Sequence, residues 1–397
     1  MKEVKFLNIK RSMNRIDFLI SYSINGDSVS CEEAFYEFKE PFYPSDLALS
    51  LSFCCMVKNI ERLYIELPVP SYIASAISKN LNCEFDCIKS NNELVNSGAY
   101  ITDSNKIMLL FSGGVDSMAA SLLLPKSCTY LLAFDYGEQF TRESLFFQKF
   151  NPITIKTNFR NTLFFRHMEP LHPPAFGLGS ILYHEYLSSF YVGTGDILES
   201  SHDFNCHLVS QTFPSSLLGI KQVRPTLGLT EIGTAMVVYN QYKDNENLIN
   251  NMLNSVAPKG TAKRLRKEII FKFLGANIEI SPLKNSLKFG QDYVMDFLYM
   301  YIHKHNKELS NFMVSNVPQE VIDFIEHCNL DFYKKINPKC FGTMYSNEII
   351  NYYIKMLSTN AIDIYCLDDF VELCAVRDVL CKYYGEHNNN FYNFNTK

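Results

Sequence analysis

The chain has 397 residues, a formal net charge of −5, 47% hydrophobic residues and twelve cysteines. The acidic balance and the absence of a strongly basic block argue against broad nucleic-acid binding. The cysteines form no disulfide framework, which predicts reduced thiols, and the apolar runs are too short to span a bilayer. We therefore expect a cytoplasmic protein of two or three folded units, without a membrane partner or direct nucleic-acid binding.

Residues 1–103 are expected to form an N-terminal α/β unit. Polar and apolar residues alternate in EVKFLNIK and RIDFLISYSI, which is typical of half-buried strands. The run SDLALSLSFCCMV predicts a buried helix, and the strand RLYIELPVP precedes the helix SYIASAISKNL. No catalytic constellation stands out in this part of the chain.

The segment KIMLLFSGGVDS predicts an apolar strand that enters a tight turn and then a helix. Gly113 and Gly114 lack a Cβ, so their backbone N–H groups can approach a bound anion closely. The helix that begins near Asp116 adds its positive dipole end at the same point. Ser112 and Ser117 offer hydroxyl groups, and the Asp116 carboxylate suits a Mg²⁺ ion that bridges phosphate oxygens. The segment is therefore predicted to bind a polyphosphate.

The motif SGGVDS resembles the SGGxDS loop of the PP-loop ATP pyrophosphatases, which cleave ATP to AMP and pyrophosphate. It differs from a Walker A loop because no Gly-Lys-Ser/Thr follows. The resemblance implies a Rossmann-like α/β core with a parallel sheet, and catalytic roles for Asp116 and Ser117. It also implies ATP and Mg²⁺ as cofactors, with Asp116 as the metal ligand and a wider set of ATP-binding residues: Ser112, Gly113, Gly114, Asp116 and Ser117.

A second apolar strand, YLLAFDYGE, follows at an interval that suits one helix and a right-handed crossover. The two strands should therefore be parallel neighbours whose carboxyl ends lie side by side, where open α/β sheets bind ligands. Asp135 and Tyr136 end this strand. Turn formation is the alternative role for both, since Asp and Gly favour strand ends.

The run FDYGEQ resembles the FDYGQ-type motif of the 7-cyano-7-deazaguanine synthases, the QueC-like branch of the PP-loop enzymes. These enzymes use ATP to activate the carboxylate of a 7-deazaguanine and convert it to an amide and a nitrile. The resemblance implies that Asp135 and Tyr136 bind the substrate, together with Gly193 and Asp196 in a third strand and turn, FYVGTGD. The run QVRPTLGLTEI partly matches the element that follows in the family.

The family carries a cysteine-rich zinc site ahead of a basic helix, and the segment APKGTAKRLRKEIIFKFLG departs from it. Pro258, Thr261 and Arg264 stand at the three cysteine positions, and none of them can bind zinc. We therefore expect no zinc. The basic side chains either form a solvated helix face or supply cations to the triphosphate or substrate carboxylate, with Lys263 and Arg266 as the candidate catalytic cations.

The resemblance covers the middle of the chain and suggests a PP-loop domain over 104–280 and a mainly helical C-terminal region over 281–397. A longer chain without zinc cysteines is more similar to the QatC-like components of bacterial anti-phage systems than to housekeeping enzymes. In that group the implied chemistry is adenylation of a deazapurine carboxylate and capture by an amine, which is either a small molecule or a protein partner of a defence complex.

Three alternatives remain open at the level of sequence. The first is a housekeeping 7-cyano-7-deazaguanine synthase. The second is a sulfur-transferring PP-loop enzyme, which the lack of paired catalytic cysteines disfavours. The third is an ATP-binding regulatory subunit that has lost turnover; the loss of the zinc cysteines favours it, and the intact SGGVDS motif argues against it.

Overall fold

A computed structural model describes residues 2–24, 29–89, 106–168, 174–187, 191–200, 213–344 and 346–384. By their contacts the described residues form two compact units. The first comprises described residues within 1–112, 126–194 and 209–223, and the second those within 113–125, 195–208 and 224–397. The expected boundary between 103 and 104 lies outside the described residues, and the division into three domains stays a prediction.

The first unit is built on one large sheet. Its ten described strands are β1 (Glu3–Arg11), β2 (Arg15–Ser23), β3 (Ser30–Phe38), β4 (Arg62–Val69), β5 (Glu84–Lys89), β6 (Ile107–Leu110), β7 (Thr129–Asp135), β8 (Ile153–Lys156), β9 (Tyr191–Gly193) and β10 (Lys221–Val223). Their order is β10-β9-β6-β7-β8-β3-β2-β1-β4-β5. Strands β10 to β8 run parallel, as do β1, β4 and β5, and the pairs in between are antiparallel. The expected α/β architecture with a mostly parallel sheet is confirmed.

The described helices are α1 (Asp46–Cys54), α2 (Ser71–Leu81), α3 (Val115–Leu123), α4 (Thr141–Phe147), α5 (Leu163–Met168), α6 (Pro174–Leu187), α7 (Glu231–Tyr242), α8 (Glu246–Val256), α9 (Ala262–Phe273), α10 (Tyr293–His305), α11 (Lys307–Ser310), α12 (Gln319–His327), α13 (Asn347–Thr359) and α14 (Leu367–Tyr384). Helices α1, α2, α4, α5 and α6 belong to the first unit and the others to the second. Among the described residues, no helix combines the length and apolar character that crossing a membrane requires.

The first unit buries its sheet under α1 and its neighbours. Ser45 caps α1 by accepting a hydrogen bond from the Ala48 N–H, which explains why the helix begins there. The ring of Phe53 on α1 stacks on that of Phe6 on β1, with centroids 4.4 Å apart. Alternate residues of β1 and β2 face this core, as the period-two pattern predicts.

The second unit consists of helices around α7 and α10, with a small parallel sheet of β11 (Leu287–Lys288) and β12 (Val314–Ser315). Helix α7 packs against α3 and α9, and α3 also contacts α13. Helix α10 is buried along most of its length and carries an aromatic cluster in which the rings of Tyr301 and Tyr333 stack at 4.9 Å. The packing of α3, α7 and α9 brings distant polar side chains together.

Candidate functional site

The glycine-rich turn leads directly into α3. Ser112 is exposed and lies between β6 and α3, and Gly113 has a φ of +75°. This left-handed conformation favours glycine because a Cβ would be strained there. The N-cap residue of α3 is Gly114, which has no side chain to accept from the first-turn N–H groups. The start of α3 therefore has the backbone form that an anion site needs.

The first turn of α3 is closely approached by the chain at Gly195. A Cβ built on Gly195 would lie 2.9 Å from the backbone nitrogen of Ser117, so only glycine fits without a shift of the backbone. The Ser117 hydroxyl donates to the Gly114 carbonyl at 3.0 Å and thereby braces the turn. The backbone at Gly195 therefore packs closely against the first turn of α3.

The Asp116 carboxylate is the meeting point of three helices. Its Oδ1 accepts from the Thr234 hydroxyl of α7 at 2.9 Å. The Lys267 ammonium of α9 lies 3.2 Å from Oδ1 and 3.4 Å from Oδ2. The Asp116 side chain is 30% exposed whereas that of Lys267 is 3% exposed. Asp116 is therefore a solvent-accessible carboxylate held by a buried cation.

The charge network continues inward through Glu231, at the start of α7. One carboxylate oxygen of Glu231 lies 3.5 Å from the Lys267 ammonium, and the other lies 3.4 Å from the Arg266 Nε. Arg266 also places its Nη1 3.6 Å from the Asp292 carboxylate. Alternating charges of this kind offset part of the desolvation cost of burying each group.

Two buried members of the network, Glu231 and Lys267, stay ionised because each faces the opposite charge. Burial acts to raise the pKa of Glu231, but the Lys267 and Arg266 cations outweigh it and hold that pKa below its ordinary value. Burial acts to lower the pKa of Lys267, but the charges of Asp116 and Glu231 outweigh it and raise that pKa. Lys267 and Glu231 are therefore a cation and an anion at neutral pH.

Glu199 is a third carboxyl group beside this network. Its Oε1 accepts from the backbone N–H of Glu231 at 2.8 Å, and its Oε2 is buried with no hydrogen-bond partner among the described residues. Burial and the neighbouring Glu231 charge raise the pKa of Glu199 from its ordinary 4.5 to about 8. Glu199 is therefore mainly a neutral carboxylic acid at pH 7.

The basic segment from Lys259 to Lys267, which leads into α9, has some of its cations at the surface and others in the network. Lys259 and Lys263 are exposed, and Lys263 makes no ion pair with the described residues. The solvated-face interpretation fits these two side chains and is wrong for Arg264 and Lys267, which are buried. Of the two cations singled out from the sequence, Arg266 belongs to the network and Lys263 does not. Sequence reasoning gave Lys267 no individual role, although the helical period places it one turn before Ile270 and Phe271 on the buried side.

Pro258, Thr261 and Arg264, the positions matched from the sequence to the zinc cysteines of the enzymes it resembles, lie in local hydrogen bonds and an ion pair. The Thr261 hydroxyl donates to the Pro258 carbonyl at 2.8 Å, and Thr261 also caps α9. The buried Arg264 Nε donates to Glu268 at 2.5 Å, and the second Glu268 oxygen accepts from the Ser281 N–H at 2.7 Å. A helix cap and a buried ion pair thus fasten this segment.

No cluster of three or more His, Cys, Asp or Glu side chains in the described part of the chain is arranged to hold a metal ion. The expectation of no zinc stays a prediction.

The predicted substrate-binding positions fall in both units. Asp135 ends β7 and Tyr136 follows it in the first unit, and Gly193 ends β9 there. A Cβ on Gly193 would lie 2.9 Å from a Leu109 methyl group, so this glycine has a packing role within the sheet. Asp196 belongs to the second unit, where one of its oxygens lies 3.8 Å from the Arg224 Nε.

Asp135 and Tyr136 are engaged in contacts within the first unit. Asp135 Oδ1 accepts from the Gly137 N–H at 2.9 Å and from the Ser144 hydroxyl at 2.7 Å. The Tyr136 ring lies under the Arg160 guanidinium at 4.8 Å. The Gly137 φ of +67° fits the turn that Asp135 supports. Turn formation is therefore one established role of Asp135, and its role in substrate binding stays a prediction.

Comparisons with protein-family models, with curated proteins and with solved structures each returned no match.

Proposed function

We propose that the chain is a QueC-like enzyme of the PP-loop ATP pyrophosphatase type that adenylates a carboxylate, with a 7-deazaguanine carboxylate as the substrate. The observation that carries this proposal is the Asp116 carboxylate. It lies at the head of a helix that follows a glycine turn, and it contacts the buried Lys267. A nucleotide site of this type needs backbone donors, an accessible carboxylate and a cation at one point.

The loop residues and the cations of α9 would bind the phosphates of ATP through different groups. The N–H groups of Gly113, Gly114 and the first turn of α3 would donate to phosphate oxygens, with Ser112 as a hydroxyl donor. Ser117 would be a second hydroxyl donor once it releases the Gly114 carbonyl. Lys267 and Arg266 would offset the charge of the leaving pyrophosphate. On the resemblance, the substrate would be held by Asp135, Tyr136, Gly193 and Asp196.

Asp116 fits the role of a Mg²⁺ ligand. Its carboxylate is accessible, and Mg²⁺ in nucleotide sites commonly takes one or two protein carboxylates together with substrate phosphates and water. The lack of a larger acidic cluster among the described residues is compatible with this mode. When bound, the metal would supply charge neutralisation at the phosphates.

The proposed reaction has two steps. A substrate carboxylate oxygen attacks the α-phosphorus of ATP, the bond to the β-phosphate oxygen breaks, and pyrophosphate leaves. An amine then attacks the carbonyl carbon of the acyl-adenylate, AMP leaves, and the amine loses a proton. Neither step requires a side-chain nucleophile, because orientation and charge stabilisation lower the barrier.

The setting that we propose is a QatC-like role in bacterial anti-phage defence, in the cytoplasm. The partners would be ATP, a small deazapurine-like carboxylate and a protein partner or protein substrate of the defence complex. No direct contact with nucleic acid or membrane is expected from the acidic composition.

The proposal is tested by incubating the protein with ATP, Mg²⁺ and 7-carboxy-7-deazaguanine and measuring AMP release, with and without ammonia. AMP formation that depends on the carboxylate supports adenylation. Amide and nitrile accumulation would favour the housekeeping synthase, and nucleotide binding without AMP would favour the regulatory subunit. A protein that binds no ATP by calorimetry contradicts the nucleotide assignment itself.

A further inference from the structure

We propose that Lys267 is exchanged between the Asp116 carboxylate and a ligand phosphate, so that it competes with the divalent metal for Asp116. This inference rests on the proposed nucleotide site and specifies how the chain's own cation responds to the ligand. It makes Lys267 both a phosphate-contacting residue and the positioning residue of Asp116.

The two carboxylates that hold Lys267 differ in exposure, and this difference indicates that the contact with Asp116 is the one that is exchanged. Glu231 is 5% exposed and is also held by Arg266 at 3.4 Å. Asp116 is 30% exposed, and its other bond is to the neutral hydroxyl of Thr234. A ligand from solvent would therefore meet this network at Asp116, whereas Glu231 would remain the fixed anchor of the ammonium. The ammonium can thus change partners through a small rotation of its flexible stem.

The charges of the ion-paired groups explain why the exchange needs a metal. Three carboxylates, Asp116, Glu231 and Asp292, face two cations, Lys267 and Arg266, so the network carries one net negative charge. A polyphosphate that enters alone would be repelled by this charge. A divalent cation on Asp116 reverses the net charge and weakens the hold of Asp116 on Lys267, which frees the ammonium for a phosphate oxygen.

The other cations of α9 are less suited to this exchange. Lys263 is exposed and has no ion pair with the described residues. Arg266 is turned toward Glu231 and Asp292 and does not contact Asp116 in the described network. Lys267 is the member of the set that contacts the proposed metal ligand directly.

The test measures two affinities on the full chain. Binding of Mn²⁺ alone is followed by electron paramagnetic resonance, and binding of a non-hydrolysable ATP analogue in the presence of Mn²⁺ is measured by calorimetry. In Lys267→Met, Mn²⁺ alone should bind up to about tenfold more tightly because the competing cation is gone. The analogue should bind about 10- to 100-fold more weakly because a charge-assisted hydrogen bond is lost. A merely structural role would weaken both.

Lys272→Met is the matched control, because Lys272 lies on the same helix, is exposed and donates to the Ile278 carbonyl. Both affinities of this control should equal those of the wild type. Circular dichroism establishes whether Lys267→Met folds. If it does not fold, Lys267→Arg carries the test. The guanidinium can hold Asp116 with two parallel hydrogen bonds, so Mn²⁺ alone should bind more weakly than to the wild type.

The failure of this inference is distinguishable from that of the proposed function. A wild-type protein that binds no Mn²⁺–analogue complex overturns the nucleotide site and the exchange together. A wild type that binds the complex, with Mn²⁺ affinity in Lys267→Met unchanged or lowered, overturns the exchange alone. For Lys267→Arg, Mn²⁺ affinity equal to or above the wild-type value has the same meaning.

Discussion

Asp116 lies in the first turn of α3, beyond the glycine turn that follows β6, and Asp135 is the last residue of the neighbouring strand β7. The sequence predicted a binding role for both carboxylates. Their partners differ in kind. Asp116 faces the buried ammonium of Lys267 and a single neutral hydroxyl. Asp135 accepts from the Gly137 N–H and from the Ser144 hydroxyl, both of which are neutral donors.

Under the proposed function, this difference separates a carboxylate that stabilises a turn, Asp135, from one that binds a metal ion, Asp116. Donors such as the Gly137 N–H and the Ser144 hydroxyl stabilise a turn, and because they are neutral they provide no positive charge for a ligand. When a buried cation pairs with an accessible carboxylate, the cation can leave that carboxylate and pair with an incoming anion. Asp116 begins a helix and Asp135 ends a strand, and the two carboxylates also differ in the charge of their partners.

The largest expected effect comes from Asp116→Asn. If Asp116 holds the metal, this change should lower AMP formation roughly 1,000-fold, which corresponds to about 4 kcal/mol of transition-state stabilisation. The fold should survive because the side chain is partly exposed. AMP release and the melting temperature are the measurements, with the exposed Asp323→Asn on α12 as the control. Normal turnover in Asp116→Asn would exclude Asp116 from the reaction.

Glu199→Gln should change how stability depends on pH. The pKa of Glu199 is raised in the folded chain to about 8 from its ordinary 4.5, by burial and the Glu231 charge, while Lys267 lowers it. The folded state therefore keeps a proton that the unfolded state releases. The contribution of Glu199 to the free energy of unfolding is greatest below pH 4.5 and is lost as pH rises toward 8, by about 1.4 kcal/mol per pH unit.

The measurement is urea unfolding of the wild type and Glu199→Gln at pH 5, 6 and 7. Because glutamine does not titrate, the variant should gain about 3 kcal/mol relative to the wild type between pH 5 and 7. The neighbouring charged groups Glu231, Lys267 and Arg266 are present in both proteins, so their contributions largely cancel in the difference. Parallel pH profiles would show that Glu199 is not protonated in the folded chain.

Asp135→Ala should lower the free energy of unfolding by about 2 kcal/mol, because two hydrogen-bond donors lose their acceptor. Asp135→Asn should recover most of this stability, since its amide oxygen can still accept from the Gly137 N–H. Urea unfolding measures both. Calorimetry with 7-carboxy-7-deazaguanine then tests the second role of Asp135: equal affinity in Asp135→Asn and the wild type would leave this residue with the turn alone.

The smallest expected effect is that of Thr234→Val, which removes the hydroxyl that donates to Asp116 and keeps the side-chain shape. We expect a loss of about 1 kcal/mol in the free energy of unfolding. Lys267 continues to hold Asp116, so the effect should stay well below that of Asp116→Asn on AMP release. An equal effect of the two changes would mean that Thr234 positions Asp116 more than Lys267 does.

Local pattern in the sequence determined the elements that are built from neighbouring residues. The glycine turn and the buried helix α1 were predicted and are confirmed. The parallel pairing of β6 with β7 is also confirmed, and it was predicted from the length of the segment that joins the two strands. Hydrophobic period and glycine placement act over a few residues, so they can be read without knowledge of the fold. The same reasoning identified Asp116, whose place at the start of a helix is a local property.

Tertiary structure alone decided which side chains meet. Lys267 lies 151 positions from Asp116 in the chain, and Thr234 lies 118 positions away. The antiparallel pairing of β3 with β8, in which Glu37 lies opposite Lys156, is likewise a contact between distant parts of the chain. Such contacts follow from how helices and strands pack, and neither periodicity nor residue type specifies which distant partner a buried charge will find. For that reason the sequence indicated only that some cation of α9 faces the loop. The packing of α3, α7 and α9 makes Lys267 the partner of Asp116.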